Sequence, residues 1–267
     1  MAGAIDIHTH AFPDPIAKIA IPALEREGGI KAYLDGTVAG LLASMDRSGI
    51  EQSVLCSIAT RPEQFAPILE WSKEIRSDRI VPFPSLHPED PQLLEHLQTI
   101  HDEGFKGVKM HSYYQDYLLD DPGLDELYEK MSELGTILVI HAGYDIAFPR
   151  IRKADPRRIL AVCQRFPKLK LIATHLGGWD EWAEVRTLLT GQPIYMELSF
   201  ALDFLDQKRI RDILLAHPPE YLLFGTDSPW TDQATTLKML AKLGLPDTLF
   251  EQIVSGNARR LLGYAGA

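Results

Sequence analysis

Eight short apolar runs, rich in β-branched residues, alternate with longer amphipathic segments along this chain. That alternation limits the fold more than any other feature of the sequence. The runs are AIDIHTH (4–10), SVLCSIA (53–59), RIVPFPSL (79–86), GVKMH (107–111), TILVIH (136–141), KLIATH (170–175), PIYMELSF (193–200) and YLLFGTD (221–227). Between them, apolar residues recur at helical spacing: Leu41, Leu42 and Met45 before Gly49, Leu93, Leu94, Leu97 and Ile100, and Leu124, Leu127, Tyr128 and Met131 before Gly135. Asp155-Pro156 reads as a helix cap followed by proline at the first helical position. Pro13 and Pro15 suggest a loop leading to a short helix near 19–27, and Pro82 and Pro84 weaken the third run as a strand. Strict β–α alternation means a parallel sheet, and continuous apolar runs fit strands buried on both faces. Eight such units in 267 residues suit a closed barrel better than an open sheet. The expected architecture is α/β: a single (β/α)8 TIM-barrel domain over 1–267 with extra C-terminal helices.

The polar exceptions in these runs carry the functional signal. His8 and His10 end the first run and, two apart on a strand, project to one face together with Asp6. Lys109 and His111 end the fourth, His141 the fifth, His175 the sixth and Asp227 the eighth. In a barrel of parallel strands those ends meet at one mouth. A polar residue where burial stops is unremarkable for any one strand. The set is different, because each member can bind or activate a metal. Neutral imidazoles suit zinc, iron, nickel or cobalt. Asp227 adds a carboxylate that offsets the ion's charge and accepts a proton from water whose pKa the ion has lowered toward about 7. Arg61 and Arg150 are candidates for gripping a substrate carboxylate, and Tyr113, Tyr114, Gln115, Tyr144, Asp145, Arg152, Trp179 and Trp230 follow strand ends at the mouth. His96, His101 and His217 fall in or at the end of helices and read as structural, while His87 stands at a rim or a helix entry. Gly177-Gly178 lacks a phosphate-loop pattern, and Ser57, Ser112 and Ser199 lack a nucleophile elbow.

Together these residues resemble the amidohydrolase superfamily. The pair His8-Thr9-His10, His141, His175 in Thr-His-Leu-Gly-Gly, and Asp227 in Phe-Gly-Thr-Asp-Ser-Pro-Trp carry the resemblance. More narrowly the chain looks like the amidohydrolase-related branch that includes aminocarboxymuconate-semialdehyde decarboxylase, and Ile253 to Leu262 is similar to that branch's closing helix. The resemblance implies one divalent metal, zinc first, held by His8, His10, His141 and Asp227, with His175 as the catalytic histidine. Lys109 is then either an ordinary amine facing a carboxylate or substrate, or a carboxylated bridge to a second ion. His111 lines the pocket or supports a neighbour, and with Lys109 and Arg61 it is a candidate for second-metal or substrate binding.

Three functions fit this reading. The first is a metal-dependent hydrolase that activates water against an amide, ester or lactone carbonyl of a small, carboxylate-bearing molecule. The second is a non-oxidative decarboxylase with the same site. The compact chain, without the insertions of many such decarboxylases, favours hydrolysis. The third is a barrel that binds a small acid or a metal without turnover. A net charge of −10 and a pI near 5.4 argue against nucleic acid or an anionic membrane as partner. No apolar run approaches the roughly 20 residues of a membrane span, and the N-terminus lacks the basic region of a signal peptide. Cys56 and Cys163 form no close pair and read as free thiols of a cytoplasmic protein. A homodimer through exposed helices such as the last is compatible with the pattern without being required by it.

Overall fold

The computed structural model describes residues 3–264; the remaining ends of the expected 1–267 domain lie outside it. The strands are β1 (Ala4–Thr9), β2 (Ile50–Cys56), β3 (Ile80–Phe83), β4 (Gly107–Met110), β5 (Ile137–Ile140), β6 (Lys170–Ala173), β7 (Tyr195–Glu197) and β8 (Leu222–Leu223). They form two parallel hydrogen-bonded sets, β1-β2-β3 and β4-β5-β6-β7-β8. Two seams join the sets. At one, Lys109 N–H donates to Pro84 O at 2.9 Å; at the other, Ile7 N–H donates to Phe224 O at 2.9 Å and Asp227 N–H to His8 O at 2.7 Å. The first seam is thin because Pro82 and Pro84 have no N–H to give. The result is a (β/α)8 barrel.

Helices α1 (Asp14–Gly28) and α2 (Val38–Ser48) follow β1, and the later helices include α3 (Phe65–Ile75), α4 (Leu93–Asp102), α5 (Asp125–Leu134) and α6 (Pro156–Arg165). Local chemistry sets their ends. The Thr37 hydroxyl accepts from Gly40 N–H at 2.9 Å, and Gly49 closes α2 at φ 70°, a conformation a Cβ would disfavour. Asp155 caps α6 by accepting from Arg157 N–H at 3.1 Å. Helix α1 is longer than the 19–27 expected, because Pro15 lies in its first turn, where no N–H partner is needed. The second strand begins at Ile50 rather than Ser53: Glu51 and Gln52 belong to it but are partly exposed at its start, which masks it as loop.

Apolar side chains fill two layers. Ile5, Ile7, Val54, Phe83, Val139 and Ile172 pack inside the barrel, and Leu261 and Leu262 of the last helix join them. Arg259, two residues earlier, pairs with Glu51 at the start of β2. The last helix therefore closes the end of the barrel where the strands begin, opposite the mouth. The second layer lies between strands and helices and holds residues such as Leu55, Leu97, Met131 and Ile159.

His217 belongs to this scaffold. It is buried, with Nε2–H donating to Ile194 O at 2.9 Å. Burial pushes its pKa down from 6.5 to about 4. Between those values the unfolded chain takes up a proton that the folded chain refuses, so this residue removes stability as pH falls through the window. The expected loss is on the order of 3 kcal/mol, read by urea unfolding at pH 7, 5.5 and 4. His217→Gln should flatten that dependence, and an unchanged pH slope in the variant would refute the assignment.

Candidate active site

The strand-end residues meet at the barrel mouth. His8 Nδ1 lies 3.1 Å from Glu197 Oε1, and His10 Nδ1 lies 2.7 Å from Cys56 O. Both partners only accept, so both Nδ1 atoms carry the proton and both Nε2 atoms present lone pairs. Those two Nε2 atoms are 3.1 Å apart. Asp227 Oδ1 stands 3.0 Å from His10 Nε2 and 3.4 Å from His8 Nε2. Two nitrogen lone pairs and a carboxylate facing one point repel each other unless a cation sits among them. Zinc bonds of 2.0–2.1 Å in a tetrahedron would place ligand atoms about 3.4 Å apart, so the observed spacing fits a divalent ion.

A second group adjoins the first. His111, His141 and Asp145 bring ligand atoms within 4.8 Å of one another. Of two close contacts, one leads out of the group and one stays within it. His141 Nε2–H donates to Tyr144 O at 2.9 Å, and His111 Nε2 approaches Asp145 Oδ2 at 3.4 Å. The two imidazoles stack with centroids 4.3 Å apart. Burial raises the Asp145 carboxyl, but the His111 contact and the neighbouring His141 outweigh it and hold the group below the usual carboxylate range. His141 Nδ1, the nitrogen left with a lone pair, faces His175 Nε2 at 3.0 Å. On the far side of His175, Nδ1 lies 2.9 Å from Ser199 Oγ, whose own proton goes to Glu197 Oε1 at 2.7 Å. His175 Nδ1 is therefore the protonated nitrogen and Nε2 bears a lone pair. A proton or a second cation must lie between His141 and His175.

Lys109 is fully buried, and its Nζ stands 3.1 Å from His8 Nε2. Burial drives its pKa down, and with Lys109 nearby burial also holds His8 neutral. His175, Phe200 and Asp227 adopt positive φ of 58°, 58° and 59°. Non-glycine residues seldom do so, and such strain concentrates where a side chain must be aimed. Asp227 is aimed by Asp227 N–H→His8 O, and His175 by its N–H donating to Glu197 Oε1 at 2.8 Å.

His141 lines the same cavity as His8, His10 and Asp227 but has other near neighbours, and several further residues lie outside it. The resemblance groups His141 with His8, His10 and Asp227, whereas the structure sets its nitrogens with His111, Asp145 and His175. Asp6 shares β1 with the histidines but turns to Thr226 and Gln233, accepting from Thr226 Oγ1 at 2.6 Å and Gln233 Nε2 at 2.8 Å; burial pushes its carboxyl up to about 7. Arg61 is exposed and does not line the cavity, although Thr60 beside it does. Arg150 stacks 3.9 Å over Tyr144 and pairs with Asp180 at 2.6 Å. Gln115 is structural, donating to the Ala59 and Leu86 carbonyls at 2.7 Å each. His87 accepts from Glu89 N–H, and His96 stacks on Phe65 at 3.6 Å, both outside the cavity. The sequence reading passed over Glu197. Its signal was a lone acid inside an apolar strand, two residues before Ser199.

A family model described as Amidohydrolase matches residues 5–264. The chain belongs to the amidohydrolase family. Members of that family generally use a divalent metal, in keeping with the donor groups here. This amidohydrolase is 30% identical over 193 residues to the dihydroorotase of Helicobacter pylori strain HPAG1, a match covering 60% of this chain and 56% of the relative. It thus spans about half the length of the curated relatives it matches. Its fold superposes on an uncharacterised TIM-barrel protein, Bb4693, of Bordetella bronchiseptica with a TM-score of 0.80, 20% identity and 99% of each chain covered. The corresponding values for the 5-carboxyvanillate decarboxylase LigW of Sphingomonas paucimobilis are 0.71 and 15%, with 98% of this chain and 99% of that one covered. The family is one of enzymes. Among the described residues of this chain no helix is long and apolar enough to cross a membrane.

Proposed function

We propose that this enzyme is a metal-dependent hydrolase that directs activated water at an amide, ester or lactone carbonyl of a small molecule. The observation that carries the proposal is the convergence of His8 Nε2, His10 Nε2 and Asp227 Oδ1 within 3.0–3.4 Å. One divalent ion fits there, with zinc favoured by the nitrogen-rich donor set. When bound, it supplies Lewis-acid polarisation and lowers the pKa of coordinated water. Asp227 takes the proton from the attacking water. Asp227 then passes that proton to the leaving group, and His175, held by Ser199 and Glu197, stabilises charge that forms on the carbonyl oxygen through the proton its Nε2 shares with His141. With one ion, a shared proton bridges His141 Nδ1 and His175 Nε2 at 3.0 Å, against burial that drives the pKa of both imidazoles down.

Decarboxylation is the second reading. The Lys109 ammonium beside His8 offers a counter-charge to a substrate carboxylate at the cavity floor. Carbon dioxide released from a panel of aromatic and unsaturated acids, with no cleavage of esters or lactones, would decide for it.

Metal content separates the one-ion and two-ion sites. Protein purified without chelator should carry about one ion per chain, lost in His8→Ala and kept in Lys109→Ala. Two ions, falling in Lys109→Ala, would make Lys109 a bridging ligand and fill the His141–His175 gap with metal. Unchanged metal and activity in His8→Ala would remove the proposed mechanism altogether.

A further inference from the structure

The cavity above the metal-binding residues has two unlike halves. Its floor holds every ionisable side chain of the lining apart from the tyrosines: His8, His10, Lys109, His111, His141, Asp145, His175 and Asp227. The rest of the lining comes from α1 and the loops after the strands, and it is apolar: Leu24, Ile30, Ile58, Ile146, Phe200 and Trp230 set its character. Its polar groups are Thr60, Tyr114, Tyr144 and the indole N–H groups of Trp179 and Trp230, all uncharged. No arginine lines it, and Lys109 is the only lysine that does, at the floor. The arginines near lining residues in sequence stay outside the lining, Arg26 between Leu24 and Gly28 being exposed. Arg61 is exposed outside the lining, and Arg150 lies on Tyr144 but is paired with Asp180.

The wall is also closely built. A Cβ on Gly28, at the end of α1, would come within 3.1 Å of Ile146 Cδ1, so the helix end and the loop after β5 already touch. The cavity is open to solvent on one side and measures about 180 Å³, slightly more than the roughly 150 Å³ apolar cavity that holds one benzene ring. A second anion placed among these isoleucines would lose its water without gaining a cation.

We infer that the substrate is a flat, single-ring-sized, otherwise apolar molecule whose one charged or strongly polar group is the group that reacts at the floor, and that the apolar upper wall rejects a second carboxylate. This rests on the floor being the reacting end, as in the function proposed above. Ile30 and Ile146 are the specificity-determining positions.

The test is calorimetric binding of benzoate and of isophthalate, its 1,3-dicarboxylate analogue, to the metal-loaded protein. Benzoate should bind at least tenfold more tightly. Ile146→Arg should shift the ratio at least tenfold toward isophthalate, and Ile30→Arg provides the same reading should the first variant fold poorly. Benzoate failing to bind at millimolar concentration would overturn the inference. So would isophthalate binding as tightly as benzoate, or a ratio unmoved by the folded arginine variant. Tight isophthalate binding lost in Arg150→Ala would overturn it too, by showing that this rim arginine supplies the missing cation. The binding preference is read without turnover. Failure of the hydrolase reading appears separately, as no metal-dependent product from esters, amides or lactones.

Discussion

Asp227→Asn is expected to lower turnover by about 10²- to 10⁴-fold, the range that a positioned general base contributes. The substitution keeps size and one oxygen facing His8 and His10 but removes the ability to take a proton. Burial raises the Asp227 carboxyl, yet its charged surroundings, Lys109 among them, hold it below its ordinary value, so it is ionised at neutral pH and ready to accept. The variant also removes a counter-charge to the Lys109 ammonium in the cavity, which should weaken folding as well. Turnover, metal content and thermal stability should therefore be measured together. Metal retained with turnover collapsed supports proton transfer by Asp227. Metal lost in parallel with turnover makes the residue chiefly a ligand. Near wild-type turnover would end the proposed role.

The barrel was legible because parallel strands buried on both faces must be continuous apolar runs, and eight such runs stand out between amphipathic helices. Strand ends were read less well, for one physical reason. The eighth run looked like a strand from Tyr221 to Asp227, but β8 is only Leu222–Leu223. Beyond it the backbone leaves the regular ladder to bond His8 O and to hold Asp227 at φ 59°. The seventh behaves alike, ending at Glu197 before Phe200 turns to φ 58°. An extended run of residues does not announce a conformation imposed by a partner strand far away in sequence. The His8–His10–Asp227 cluster was visible in the sequence because strand ends of a barrel converge whatever lies between them. The pairing of His141 with His175 was not, because it depends on which ring nitrogen each neighbouring carbonyl or hydroxyl captures. Asp6 shows the opposite failure: period-two reasoning put it with the histidines, but the β1–β2 register shifts between Asp6 and Thr9, and its carboxyl is bonded to Thr226 and Gln233 instead.

Glu197 is the residue whose loss should travel furthest from its own position. Its carboxylate is fully buried and accepts from four groups: His8 Nδ1 at 3.1 Å, His175 N at 2.8 Å, and Ser199 N and Oγ at 2.7 Å each. One group thus fixes the tautomer of a proposed metal ligand, the strained backbone of the proposed catalytic histidine, and the serine that orients that histidine's ring. The site has no slack, since a Cβ on Gly225 would lie 2.2 Å from Glu197 Oε2. In Glu197→Gln an NH2 group replaces one oxygen, and either way it faces N–H or O–H donors. At least one buried donor then loses its acceptor, costing about 1–3 kcal/mol of stability. Removing the carboxylate that holds a ligating histidine should also weaken metal binding about 10- to 100-fold, measured by competition with a chelator at a temperature where the variant is folded. Gly225→Ala pushes the same carboxylate from outside and should weaken metal binding in the same direction. Ser199→Ala spares the Glu197–His8 bond, so it should affect turnover more than metal affinity. If Glu197→Gln loses stability but binds metal as tightly as the wild type, with turnover intact, the carboxylate supports only the fold and has no part in positioning the site.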